Sequence, residues 1–269
     1  MFQRKFREDL PLQGNFYPVT SSAFIEDGSA RVTILAAQPS AGTSLKSGQL
    51  ELMQDRRVPS DDGHGIGQGY TDNLVTVTKY RIILEPLSGP TTEPAVNTVP
   101  DLSITAHHLL HSLSHPIQVF KSIYASTAEI SPGFEHQFLG YGLPKSQGFP
   151  CDIHLVNTLP FLPSGHRMQG QTFATNSSME TKLHKEVAVV VHRLPYDGRF
   201  GVDKVSAICN LNAMGKLRLA DLFGDTFSKE LKRTSISFLH EYREVWSTDE
   251  AVPMKPMEVI GLKACFGNI

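Results

Sequence analysis

Residues 187 to 191 read Val-Ala-Val-Val-Val. A run dominated by β-branched side chains favours extended backbone. With no polar position it has no face to give to water, so Val187 to Arg193 is predicted to be a central strand covered on both sides. Weaker versions of this signal recur along the chain. Arg31 to Ala37 (RVTILAA), Gly48 to Met53 (GQLELM), Lys79 to Glu85 (KYRIILE), Cys151 to Asn157 (CDIHLVN), Lys216 to Leu222 (KLRLADL), Ser235 to Tyr242 (SISFLHEY) and Met257 to Phe266 (MEVIGLKACF) are short apolar or alternating runs. Val119 to Phe138 adds further short strand candidates. Asp27-Gly28-Ser29, between a strand around Ala23 to Glu26 and the run from Arg31, is a hairpin signal. Many short strands and scarce helix predict a mainly β chain built as an antiparallel sandwich.

The exception is Leu102 to Leu113, where Leu102, Ala106, Leu109, Leu110 and Leu113 fall at helical spacing and Asp101 or Ser103 offers a cap. His107 and His111 share a face of that helix, but no third ligand is placed beside them, so no metal is assigned. Four prolines between Pro86 and Asp101 mark an extended connector. The predicted organisation is therefore a first β portion over 1–85, a connector over 86–101, and the helix with the remaining strands over 102–269. Gln38 to Ser47 and Gly140 to Gly148 read as loops, and Leu159 to Lys185 as a long polar insertion.

With 269 residues the chain can bury a sizeable core without a disulfide staple. Lys and Arg number 25 against 27 Asp and Glu, a balance that argues against a nucleic-acid or anionic-membrane partner. No apolar run approaches the roughly 20 residues that cross a bilayer, and the start, MFQRKFREDLP, lacks the apolar core of a signal peptide. It reads as a charged strand or linker of the kind that opens the back half of something longer. Cys151, Cys209 and Cys265 are far apart; one disulfide with a free thiol, or three thiols, are equally allowed.

The densest polar stretch is Asp55 to Asn73, DRRVPSDDGHGIGQGYTDN, between the strand pattern Gly48 to Met53 and one that resumes over Val75 to Leu84. Gly63, Gly65, Gly67 and Gly69 recur at every second position, which suits left-handed turns and close approach of backbone to a polar, hydroxyl-rich ligand such as a sugar. Arg57, Asp61, Asp62 and His64 are the candidate ligand contacts. The competing reading is structural, with Arg56 and Arg57 paired to Asp61 and Asp62 to hold the loop shut. The glycine spacing is not a nucleotide fingerprint, and no EF-hand spacing or Cys/His pair supports a metal. No residue of the chain is assigned a catalytic role.

Several strings together resemble one family. Gly14 to Gly28 (GNFYPVTSSAFIEDG), Ser44 to Arg57 (SLKSGQLELMQDRR), the DDGHGIGQG loop, Pro150 to Asn157 (PCDIHLVN) and Pro256 to Val259 (PMEV) look like the C-terminal β-domain of class II α-mannosidases, glycoside hydrolase family 38, in the manner of the Golgi α-mannosidase II branch. The resemblance implies a galactose-mutarotase-like β-sandwich that serves a retaining hydrolase of α-mannosides in N-glycan processing and mannose metabolism, in the Golgi lumen. It implies an Asp nucleophile, an Asp acid/base and zinc on the sugar hydroxyls, all carried by an N-terminal catalytic domain without counterpart here. It therefore implies no cofactor in this chain, no turnover by the chain alone, and as partners that catalytic domain and a mannose-containing glycan. In the family the loop matching Asp61 to Gly69 leans toward the sugar pocket with Arg at its middle, where this chain has His64. The alternative is a free-standing carbohydrate-binding or structural β-domain.

Overall fold

The structure is a computed structural model that describes residues 3–54, 63, 67, 69, 74–87, 101–119, 150–160, 186–200, 215–218, 220, 227–247 and 249–266. It divides into two compact units. The first comprises Met1–Phe120 with Tyr196–Val205, the second Lys121–Pro195 with Ser206–Ile269. The fold is mainly β, and every strand pairing among the described residues is antiparallel.

The first unit holds β1 (Tyr17–Val19), β2 (Ser22–Glu26), β3 (Ala30–Ala36), β4 (Ser40–Thr43), β5 (Glu51–Met53) and β6 (Tyr80–Pro86). They form two three-stranded sheets, ordered β1-β4-β5 and β2-β3-β6. The expected hairpin is β2–β3. Its turn is fixed by the Asp27 carboxylate, which accepts the backbone N–H groups of Ser29 at 2.7 Å and Ala30 at 2.9 Å. Those donors, Ser29 first, hold Asp27 below its ordinary pKa.

The expected helix is α1 (Ile104–Ser114), capped by Ser103, whose hydroxyl accepts the Ala106 N–H at 3.0 Å and donates to Glu85 at 2.6 Å. Leu35, Leu102 and Ala106 are buried between helix and sheet, with Phe24, Ile83, Leu109, Leu110 and Leu113 around them. The helix thus belongs to the first unit, although the sequence reading groups it with the chain that follows the connector.

Three strand expectations change in this unit. β4 lies inside the stretch read as a loop, because Ser-Ala-Gly-Thr carries no apolar alternation and is held extended by β1 and β5 on either side. β5 is only Glu51–Met53, since a turn closed by Gln49 N–H to the Lys46 carbonyl occupies the residues before it. β6 starts at Tyr80 rather than Val75, and Val75 and Val77 are exposed.

The second unit holds β7 (Ile153–Pro160), β8 (Glu186–Arg193), β9 (Lys216–Arg218), β10 (Phe227–Thr234), β11 (Glu241–Ser247), β12 (Ala251–Pro253) and β13 (Val259–Phe266). Five of them form a sheet ordered β11-β10-β13-β8-β7, and β12-β9 form a second, smaller one. β8 is interior, as its composition predicts. Val187, Val189 and Val191 share a buried cluster with Ile260, Leu262 and Ala264 of β13 and with Leu217 and Val252 of the small sheet. Ala188 and Val190, on the opposite face of β8, are buried as well. Ser235 to Tyr242 is mostly a turn rather than a strand. The Ser235 N–H donates to the His240 carbonyl at 2.9 Å, and Phe238 sits at φ +57°. The strand candidates over 120–138, the loop over 140–148 and most of the polar insertion after Leu159 lie outside the described residues.

Candidate functional site

The polar loop runs from the end of β5 to the start of β6 and so links the two sheets of the first unit. Arg57, Asp61, Asp62 and His64 lie outside the described residues. Of its glycines, Gly63 has φ +83° and Gly67 φ +72°, and a Cβ at either would meet no atom within 4 Å. Both positions thus use glycine for backbone conformation and not to admit a close protein neighbour.

Two sites that the residue pattern did not single out are described. The first is a charged cluster within the first unit. Arg31, fully buried in β3, donates from Nε to Glu26 at 2.7 Å, from one terminal nitrogen to Asp197 at 2.8 Å and from the other to the Asp101 carbonyl at 2.7 Å. Arg199 completes the ring, with contacts to Asp197 at 2.7 Å and to Glu26 at 2.8 Å. The Arg31 guanidinium lies 4.0 Å from the Phe24 ring centroid and 4.3 Å from that of Phe200. Burial alone would raise the Asp197 carboxyl, but the hydrogen bonds and charge of Arg199, with Arg31 behind them, win and hold it below its ordinary value. The same contacts raise Arg199. An Asp197 carboxyl held below its ordinary value cannot serve as a general acid, which requires a raised pKa. The cluster is an ionic clamp. Its one sequence signal is a lone Arg opening an otherwise apolar strand.

The second is an open cleft of about 650 Å³ lined by Arg4, Asn15, Tyr17, Phe24, Glu26 and Thr43 among others. The Arg4 guanidinium lies 4.8 Å from the Tyr17 ring centroid. Among the described residues Glu26 is the only carboxylate lining it, and they give it no pair of carboxylates about 5–5.5 Å apart as a retaining glycosidase has. Among the described residues no group of three or more His, Cys, Asp or Glu side chains is placed to hold a metal ion.

Three of the strings quoted for the family resemblance act as braces. Asn15 of GNFYP is buried. Its side chain accepts the Arg7 N–H at 2.8 Å, and its carbonyl accepts the Thr43 hydroxyl at 2.7 Å. In the second unit PCDIHLVN and PMEV meet at Arg193. Arg193 donates to the fully buried Asp152 at 3.1 Å and to the Met254 carbonyl at 2.5 Å. Its backbone exchanges hydrogen bonds of 2.9 Å with Met257 and Glu258. Cys151, next to Asp152, is disulfide-bonded, and Cys265 is a free thiol; Cys209 lies outside the described residues.

The whole sequence resembles known proteins well beyond these strings. Over 251 residues, 93% of this chain, it is 32% identical to α-mannosidase 2 of Homo sapiens. The chain is an α-mannosidase 2-like region. α-Mannosidase 2 of Arabidopsis thaliana is 31% identical over 93% of the chain, and that of Drosophila melanogaster 41% identical over 51% of it. The α-mannosidase 2-like chain spans about one fifth of the length of the human and plant relatives, 20% of each. No family model matches it. Among the described residues no helix is long and apolar enough to cross a membrane.

Proposed function

We propose that this chain is the C-terminal β-region of an α-mannosidase that hydrolyses α-mannosides in N-glycan processing, and that it has no turnover alone. What supports the reading is similarity to α-mannosidase 2 proteins over 93–95% of the chain, together with a single carboxylate in its described cleft. The catalytic Asp pair and the zinc belong, on this reading, to an N-terminal catalytic domain, where zinc supplies a Lewis acid for the sugar hydroxyls. The glycine loop contributes Arg57, Asp61, Asp62 and His64 toward a mannose-containing glycan. A His64 imidazole between the aspartates and flanking glycines is a titratable donor where the family's Arg is a permanent one. The disulfide at Cys151 supports an oxidising compartment such as the Golgi lumen.

The test is a joined protein in which this chain replaces the matched region of human α-mannosidase 2. Zinc-dependent release of mannose from an aryl α-mannoside is expected from the joined protein and not from the chain alone. A soluble joined protein without activity, or a chain active by itself, would overturn the proposal. Within the joined protein, His64→Arg is expected to raise activity and His64→Ala to lower it. If neither changes kcat or KM, the loop has no part in sugar binding.

A further inference from the structure

The sheet β2-β3-β6 carries α1 on one face. Register gives the composition of the other. Ile25 pairs Val32, which pairs Leu84; Ala23 pairs Ile34, which pairs Ile82. Residues directly opposite one another in an antiparallel ladder point to the same side, so these six form a two-by-three apolar grid. The alternate rows, on the side of Phe24 and Ile83 that packs against α1, include Arg31, Thr33, Arg81 and Glu85. The helix-covered face is therefore the more polar one, the reverse of a sheet with one face in water, which alternates apolar inside and polar outside. Ala23 to Ile25 and Ile82 to Leu84 are instead continuous apolar runs, the mark of strands buried on both faces. Yet Ile82 is 71% and Leu84 69% exposed, and Ala23, Ile25, Val32 and Ile34 are only partly buried. Contiguous apolar surface of this kind marks an interaction site.

We infer that this grid docks the rest of an α-mannosidase polypeptide, through an apolar surface on the four-fifths of the relatives' length that this chain does not match. The inference rests on the functional reading above. The occupant follows from proportion: the chain spans 20% of the human relative, so on that reading a partner several times its size lies in the same polypeptide. Covalent linkage raises its effective concentration far above that of a second copy.

The experiment compares Ile82→Asp and Leu84→Lys in the 269-residue chain alone and in the joined protein, with Ile236→Asp, an exposed residue of the second unit, as control. Alone, both grid variants are expected to melt as the parent does and to bind less of an apolar dye. Joined, both are expected to cut the soluble yield by about tenfold or more, as for a charge forced into a packed interface, while the control keeps parental yield. Four results overturn the inference. Lower melting of the variants in the chain alone means the grid is covered within this chain. A discrete dimer of the parent abolished by either variant means a second copy is the occupant. An insoluble joined parent, or unchanged variant yield in the joined protein, means the surface does not fit. Loss of variant yield in an inactive joined protein supports the docking and sinks the functional reading. Full activity with unchanged variant yield does the opposite.

Discussion

Arg31 and Asp197 meet at 2.8 Å although 166 residues separate them, and the Arg31 guanidinium at that contact is fully buried. The pair holds the segment Tyr196–Val205 to β3 within the first unit. Removal of Arg31 leaves the buried Asp197 and Glu26 with Arg199 alone and takes the guanidinium from between two aromatic rings, and a broken buried pair costs up to about 3–5 kcal/mol. Arg31→Ala is expected to lose that much in urea unfolding monitored on the first unit. Arg31→Lys should recover only part of it, since a lysine cannot reach Glu26, Asp197 and the Asp101 carbonyl together or stack between Phe24 and Phe200. An Arg31→Ala chain as stable as the parent would show that the clamp contributes nothing.

The clamp also sets an acid limit. Asp197 lies below its ordinary pKa in the folded chain, whereas an unfolded Asp titrates near about 3.9. Between those two values the unfolded chain binds a proton that the folded one does not, so stability present at neutral pH is lost as pH falls below about 4. Asp197→Asn should be less stable than the parent at pH 7 and decline less steeply on acidification. Asp27 and Glu241 are held low in the same way, so the slope is reduced and not abolished. A variant with the parent's slope would remove Asp197 from the account.

At Gly63 and Gly67 the cost of a side chain is backbone strain alone, because the space is open and φ is positive. Gly63→Ala and Gly67→Ala should each cost about 1–2 kcal/mol, or reshape the loop. Gly42→Ala fails for the other reason. Its Cβ would lie 2.8 Å from Val19 Cγ2, an overpacking of about 1–3 kcal/mol. Gly28→Ala, with neither constraint, should melt like the parent. Equal melting of all four variants would contradict this ranking.

Cys151 is disulfide-bonded and Cys265 free and partly exposed. Alkylation of the native chain followed by peptide mapping should mark Cys265, and Cys151 only after reduction. Reduction should lower the stability of the second unit by about 2–4 kcal/mol. Labelling of Cys151 without reductant would refute the assignment.

What the sequence by itself determined is what neighbours in the chain decide. The hairpin at Asp27 follows from a short acidic side chain reaching its own turn. The start of α1 follows from a serine three residues before a free N–H. The interior place of β8 follows from a run with no polar face. The φ > 0 conformation of Gly63 and Gly67 was equally legible, whereas Arg57, Asp61, Asp62 and His64 lie outside the described residues. Tertiary structure decided the rest. β4 is a strand only because β1 and β5 flank it, since Ser-Ala-Gly-Thr has no pattern of its own. The order β11-β10-β13-β8-β7 and the return of Tyr196–Val205 to the first unit depend on which distant surfaces fit. Arg31 is in sequence only the first residue of a strand run, and it is buried because Glu26, Asp197 and two aromatic rings surround it. A charge enters an interior only where partners repay its lost hydration, and no local pattern records where those partners come from.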